Sequence, residues 1–323
     1  MKKAFVMGLV ILGFVSGKEL CAETYVSGTI TSNTTWNLAG SPYITTDTVT
    51  VAEGITLIIE PGVTVRFATE TSLICLGSLN AVGTPDGTIT FTSDQSTHTA
   101  GYWKGIKLSG SGANGSQISY CDIGYAKQAV YLENVSGIVI INNYIHDNKG
   151  NDGASGSTGQ PGEVGGVGVG VYLSSANNNF IGTNTIRANT GGQGGSGGGY
   201  WVGSQGGIGT GIYLYQSGTN TIAGNTISNN TGGAGGTGCG GDGGCGGAGG
   251  IGCGIYLSSS TNNTISNNTI SQNTGGAGGP AGYDDGGAGG IGCGIYLFSS
   301  TNNTISENII SQNTGGQRGE GYL

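Results

Sequence analysis

Residues 254–276 read GIYLSSSTNNTISNNTISQNTGG, and residues 294–316 read GIYLFSSTNNTISENIISQNTGG. Three further copies precede them. GIYLYQSGTNTIAGNTISNNTGG starts at Gly211, GVYLSSANNNFIGTNTIRANTGG at Gly170, and a degenerate AVYLENVSGIVIINNYIHDNKG at Ala129. The starts lie 41, 41, 43 and 40 residues apart. Self-similarity at a fixed period marks a stacked array, in which each unit's best neighbour is a copy of itself.

Each copy holds three short pieces: GIYL, NTI and a second NTI. Apolar residues sit two apart in the first piece (Ile255, Leu257) and once in each later piece (Ile265, Ile270). Period-two spacing predicts strands with one face inward, and no stretch has helical spacing. Three such strands make one triangular coil, and successive coils stack as parallel strands ~4.8 Å apart. The asparagines agree. Asn143, Asn184, Asn225, Asn268 and Asn308 share one register; Asn148, Asn189, Asn230, Asn273 and Asn313 share another; Asn179, Asn220, Asn263 and Asn303 form a third. Stacked amides can bond coil to coil, and Asn tolerates the left-handed backbone of sharp turns.

The earlier chain lacks the repeat but keeps the plan. VTVAEGITLIIEPGVTVRF (49–67), SLICLGSLNAVGTPDGTITFTSD (72–94) and WKGIKLSGSGANGSQISYCDIGYA (103–126) alternate apolar residues around turns. About eight coils are expected, giving a rod of ~35–40 Å. The expected boundaries are a signal peptide at 1–22, a lead-in or cap at 23–45, and a parallel β-helix at 46–323. Gly-rich inserts fall near 150–169, 191–209, 232–252 and 275–292.

GITLIIEPGVTVRF, GTITFTSD and YWKGIKLSG look like the opening coils of secreted right-handed parallel β-helix proteins of the pectin-lyase-like superfamily. NTISNNTISQN is similar to repeats of the periplasmic copper-binding (NosD-like) group and of related carbohydrate-binding and sugar-hydrolase domains. The resemblance covers about residues 44–316, inserts excepted. It implies an all-β, single-stranded, right-handed parallel β-helix solenoid. It says little of function, because this fold hosts lyases, hydrolases, adhesins and surface proteins. The copper association carries over no residue.

Composition narrows the function. Gly is 71 of 323 residues, only 9% are charged, and the net charge is −8. After Lys149 the only basic residues are Arg187 and Arg318. Phosphate backbones need clustered Lys and Arg, so no nucleic-acid partner is expected. Lys2 and Lys3, the apolar run Ala4 to Val15, and small residues at Ser16, Gly17 and Ala22 have the layout of a secretory signal. That run is too short to span a bilayer well, and no second apolar stretch follows. A secreted, periplasmic or cell-surface protein without a transmembrane segment is expected. Export permits disulfides. Cys239 and Cys245 share one glycine loop, while Cys253 and Cys293 hold one place in successive repeats; pairing and unpaired small residues both fit.

The inserts have period three. In GASGSTGQPGEVGGVGVG, Gly recurs at 153, 156, 159, 162, 165 and 168; in CGGDGGCGGAGGI, the other residues fall at 239, 242, 245, 248 and 251. Period three belongs to the polyproline-II helix, and glycine every third residue permits such helices to pack closely. The inserts then run out and back along one edge as a polyglycine-II bundle. The alternative is a set of flexible, solvated loops.

In GIYL, Ile and Leu face inward, so Tyr faces outward. Tyr131, Tyr172, Tyr213, Tyr256 and Tyr296 therefore form one exterior column. Sugars pack flat C–H faces on aromatic rings, which makes the column a candidate carbohydrate-binding platform. Alternatively, the rings stack on one another or lie under the glycine arms. Catalytic residues are not evident. Glycosidases need two facing carboxyl groups, and from Gly170 to Asn313 the only acids are Asp242, Asp284, Asp285 and Glu307. The densest polar group is Asp122, Glu133, His146 and Asp147, with Lys104, Lys107 and Lys127 nearby; it reads as a solvated, charged end of the rod. No cofactor is expected; carbonyl-rich loops around Asp242, Asp284 and Asp285 offer calcium its one candidate site. The expected role is an exported, non-catalytic module binding polysaccharide or a cell-surface glycan. A polysaccharide lyase or glycoside hydrolase, or a structural spacer or adhesin, are the alternatives. Because GGQRGEGYL stops as a further insert begins, a continuation or partner is expected at an open C-terminal edge.

Overall fold

The computed structural model describes residues 23–199, 201–238, 245–281 and 285–321. The expected signal peptide at 1–22, Cys239, Asp242 and Asp284 lie outside them. One repeat shows the plan. Strands Gly252–Ser258, Thr264–Ser266 and Thr269–Ser271 form the first, second and third faces of a coil. Ile255, Leu257, Ile265 and Ile270 point inward and are fully buried. Each such burial contributes roughly 2 kcal/mol, and copies above and below complete the contact.

The second face is a nine-stranded sheet running from Thr34–Trp36 to Thr304–Ser306. The stack therefore has nine rungs where about eight were expected. The first and third faces join in a 17-stranded sheet. Strand Tyr43–Val51 makes the join: Tyr43–Thr45 pairs with Val65–Phe67 on the third face, and Val49–Val51 with Leu73–Cys75 on the first. Strand Thr24–Ile30 pairs in parallel with Tyr43–Val51. Residues 24–36 thus pair onto the first end of the stack, within the stretch expected as a lead-in or cap. Near this end the interior is filled by large rings, with Phe67 and Trp103 stacked at 3.9 Å; further down it is filled by Ile and Leu.

The asparagine registers are continuous ladders. Asn184 donates its Nδ2 to Asn225 Oδ1 at 3.0 Å, and Asn225 to Asn268 at 2.9 Å. The same bond links Asn189, Asn230 and Asn273 at 2.8 Å, and Asn179, Asn220 and Asn263 at 3.0 Å. One expectation is corrected here. The left-handed residues are not the ladder asparagines but their immediate predecessors: Thr183, Gly224, Asn267 and Glu307 precede Asn184, Asn225, Asn268 and Asn308. The bend at each corner turns the next side chain inward, and the inward Asn satisfies backbone groups that the corner frees from ladder pairing.

The described residues of the glycine inserts form a two-layer fringe. Outgoing arms bond to the next outgoing arm, through Gly153 N to Gln193 O (2.7 Å), Gly194 N to Ala234 O and Gly235 N to Ala277 O (both 2.8 Å). Return arms do likewise, through Gly165 N to Gln205 O (3.0 Å) and Gly206 N to Ala248 O (2.9 Å). A second set crosses the layers: Gly192 to Gly166, Gly207 to Gly192, Gly233 to Gly207 and Gly250 to Gly233, all 2.8 Å. Successive N–H groups pointing to different neighbours, with period three, is the arrangement of packed threefold helices. It favours the ordered bundle over flexible loops.

Candidate functional site

The five tyrosines occupy one column by strand register: Tyr131 pairs with Tyr172, Tyr172 with Tyr213, Tyr213 with Tyr256 and Tyr256 with Tyr296. Rung spacing dictates what they do. Consecutive rings lie 5.0, 4.8, 4.7 and 5.3 Å apart, the first three pairs nearly parallel. Within the column each ring lies against its neighbours, so its middle offers edges, and faces not covered by another tyrosine remain only at the ends, on Tyr131 and Tyr296. The fringe covers it further. Val167, Ile208 and Ile251 on the return arms pack against the column, leaving Tyr213 and Tyr256 only 9% and 7% exposed. Burial pushes the Tyr213 phenol up to about 12, so it stays neutral at ordinary pH.

The head of the column differs. The first insert leaves after the rung of Tyr131, so that rung has no arm above it. Lys107 takes the next place up the column, paired with Tyr131, and its Nζ lies 5.0 Å from the ring centroid. There the surface opens into a cleft of about 360 Å³, lined by Lys104, Lys107, Lys127, Tyr131, Asn151 and Val167 among others. Glu133 orders one side. It accepts hydrogen bonds from Lys107 (2.8 Å), Ser109 (2.7 Å) and the Tyr131 hydroxyl (3.0 Å). Lys107 first, then Ser109, holds its carboxyl below the usual range. Lys127 is paired with Glu70. Lys104 is exposed and has no acidic partner among the described residues. Three ammonium groups thus meet two carboxylates, in a chain of net charge −8.

The polar group that looked continuous in sequence is split. Glu133 and the lysines belong to the first face. Asp122, His146 and Asp147 sit on the third, where His146 bonds Asp122 Oδ1 through Nε2 (2.8 Å) and Asp147 Oδ2 through Nδ1 (2.7 Å). Tyr144 stacks on the imidazole at 4.3 Å. Gly124 makes room for it, since a Cβ there would meet the ring at 2.8 Å. Both ring nitrogens face carboxylates, which favours the doubly protonated imidazolium and leaves neither nitrogen for a reacting proton. Burial alone lowers the His146 pKa, but the hydrogen bonds its ring donates to Asp122 and Asp147 outweigh it and the net shift is upward. A raised folded-state pKa stabilises fully below the unfolded value of about 6.5 and is lost as pH rises through the folded value. The thermal midpoint should therefore fall from neutral to alkaline pH. H146N should lack that dependence; an identical pH profile in H146N would remove the imidazolium from the account.

Asp285 pairs with Arg318 at 3.0 Å; its expected calcium companions Asp242 and Asp284 lie outside the described residues. Among the described residues no helix is long and apolar enough to cross a membrane.

The 70 residues that match Protein bark beetle of Drosophila melanogaster are 41% identical, and span 22% of this chain and 2% of that protein. The periplasmic alginate epimerase AlgG is 13% identical, with a TM-score of 0.33 over 84% of this chain and 70% of its own. The enzymatically active domain of bacteriophage CBA120 tailspike protein 2 is 12% identical, with a TM-score of 0.33 over 89% and 37%. DFA-IIIase from Arthrobacter chlorophenolicus A6 is 11% identical, with a TM-score of 0.32 over 85% and 72%. Likeness at this level assigns no residue and no activity. Residues 84–319 match the family described as "Right handed beta helix region", and with its parallel rungs and ladders the chain belongs to that right-handed β-helix family.

Proposed function

We propose that the protein is an exported, non-catalytic module that binds an acidic polysaccharide in the cleft at the head of the tyrosine column. The cleft carries this reading. Its volume of about 360 Å³ suits a short sugar segment. Beyond residue 22 the chain has seven Lys and Arg, and three of them line it. Tyr131 supplies one ring beside them, with the ammonium of Lys107 over it. Carboxylate or sulfate groups on the sugar would engage Lys104 and share Lys107 and Lys127 with their glutamates. A secreted, periplasmic or cell-surface location rests on the N-terminal residues Lys2 to Ala22.

Affinity electrophoresis in polygalacturonate, alginate and neutral dextran tests the reading. Wild type should be retarded by the acidic polymers, less so at high salt, and not by dextran. Lys104→Glu and Tyr131→Ala should each weaken retention roughly tenfold, or ~1.4 kcal/mol. Tyr213→Phe, beneath the fringe, should leave it unchanged. Equal retention of Lys104→Glu and wild type would refute the cleft. Release of reducing or unsaturated sugar products would refute the non-catalytic role.

A further inference from the structure

We propose that Cys253 and Cys293 form a disulfide joining the two rungs that carry them, by thiol–disulfide exchange with a low-molecular-weight disulfide such as oxidised glutathione. The two residues are direct register partners in adjacent parallel strands, Gly252–Ser258 and Gly292–Phe298. Strand spacing of about 4.8 Å falls within the roughly 4.4–6.8 Å Cα separation that a disulfide spans. Register partners in parallel strands send their side chains to the same side, so neither strand need twist.

No other described pair has this relation. Cys75 is partnered in register by Val51 and Leu108. Cys121 is buried and donates its thiol to the carbonyls of Ser119 (3.3 Å) and Ala81 (3.6 Å). Cys245 lies in a return arm, against Gly203 of the preceding insert.

The surroundings set the order of events. Cys253 is fully buried beside Val169, Tyr213 and Tyr256. Cys293 is half-buried and reachable. The Cys253 thiol donates to the Cys293 sulfur and holds Cys293 below the usual thiol range, which raises its thiolate fraction. Cys293 thiolate attacks the external disulfide, forms a mixed disulfide and expels one thiolate, which takes up a proton. Cys253 then loses its proton and attacks Cys293 Sγ, expelling the second thiol. The protein loses two electrons and two protons, and the glutathione disulfide gains them. The register above holds Thr210 and Val169, so the column accommodates different small side chains. The bond closes the base of the insert at 275–292, which leaves one of these rungs and returns to the other.

The full-length chain is incubated with oxidised glutathione, blocked with N-ethylmaleimide, digested without reduction and mapped by mass spectrometry. The expected product is a peptide pair joined through Cys253 and Cys293, lighter by two hydrogen atoms and lost on reduction. The thermal midpoint of the oxidised protein should fall on reduction. C239S/C245S should keep that fall, and C253T/C293T, which extends the threonine of position 210 down the column, should abolish it. The proposal is overturned if both thiols are alkylated after oxidation, if Cys293 stops at the glutathione adduct, or if the sensitivity disappears in C239S/C245S. If C253T/C293T does not fold, the peptide map of wild type decides alone.

Discussion

Asn225→Leu is expected to destabilise the protein by roughly 3–5 kcal/mol, enough to drive much of it into the insoluble fraction, while Asn267→Gly changes stability by less than about 0.5 kcal/mol. The two asparagines lie on adjacent rungs, yet their work differs. Asn225 is 1% exposed. Its Oδ1 accepts from both the backbone N and the Nδ2 of Asn184, each at 3.0 Å. Its Nδ2 donates to Ile181 O and to Asn268 Oδ1, each at 2.9 Å. Leucine has similar volume but satisfies none of these. The Asn184 N–H and the Ile181 carbonyl are left buried without partners, at roughly 1–3 kcal/mol each. Asn225→Asp should fare no better, because a second oxygen would face two acceptors. Asn267 is exposed, with φ 56°. Gly224 holds the same corner one rung earlier at φ 69°, so glycine there has a precedent in the chain. Urea unfolding of the three variants measures the difference. A loss below about 1 kcal/mol for Asn225→Leu would mean that the ladder is ornamental and that apolar stacking alone holds the rungs.

These ladders were legible in the sequence because a solenoid converts period into contact. Residues 40 to 43 apart in chain are neighbours in space, so an aligned column of Asn or Tyr is already a list of touching side chains. The same logic underlies the alternative reading of the tyrosines, as rings stacked on one another. Identical rings held ~4.8 Å apart have little choice but to stack, and rings inside such a stack have no free faces. The cleft was not legible. It depends on the fringe beginning one rung below Tyr131, and on Lys107 standing one rung above it; the first coils lack the repeat that would have aligned Lys107 with the column. Nor could the sequence divide the polar group. Glu133 and His146 are 13 residues apart, but the chain turns two corners between them, so they lie on different faces. The opening rung was missed for a related reason: Thr24–Ile30 and Thr34–Trp36 carry few inward apolar residues, and their pairing is visible only once Tyr43–Val51 is placed beside them.

Gly233→Ala is expected to open the fringe while leaving the rungs intact. At Gly233 an added Cβ would fall well inside contact distance of the Gly192 carbonyl oxygen on the arm above. That oxygen is backbone, and it already accepts from Gly207 N at 2.8 Å, so it cannot swing away as a flexible side-chain end would. The arms must separate, and separation also breaks Gly233 N to Gly207 O and Gly250 N to Gly233 O, both 2.8 Å. Gly315→Ala supplies the contrast, because its nearest neighbour would be the Gly290 oxygen at an ordinary 3.6 Å. Gln193→Ala, at an exposed position of the same bundle, should be silent too. Amide hydrogen exchange reads the result. In wild type the amides of Gly192, Gly207, Gly233 and Gly250 should exchange slowly; in Gly233→Ala they should lose roughly 100-fold of protection, while Ile222 and Ile227 in the rungs keep theirs. The fringe also shields the tyrosine column through Val167, Ile208 and Ile251. Opening it should therefore bring the Tyr213 phenol down from about 12 towards the ordinary value near 10, visible as tyrosinate absorbance appearing at lower pH. Fast exchange throughout the wild-type arms would show glycines serving only as solvated spacers. Loss of protection in the rungs as well would show that fringe and β-helix fold as one unit.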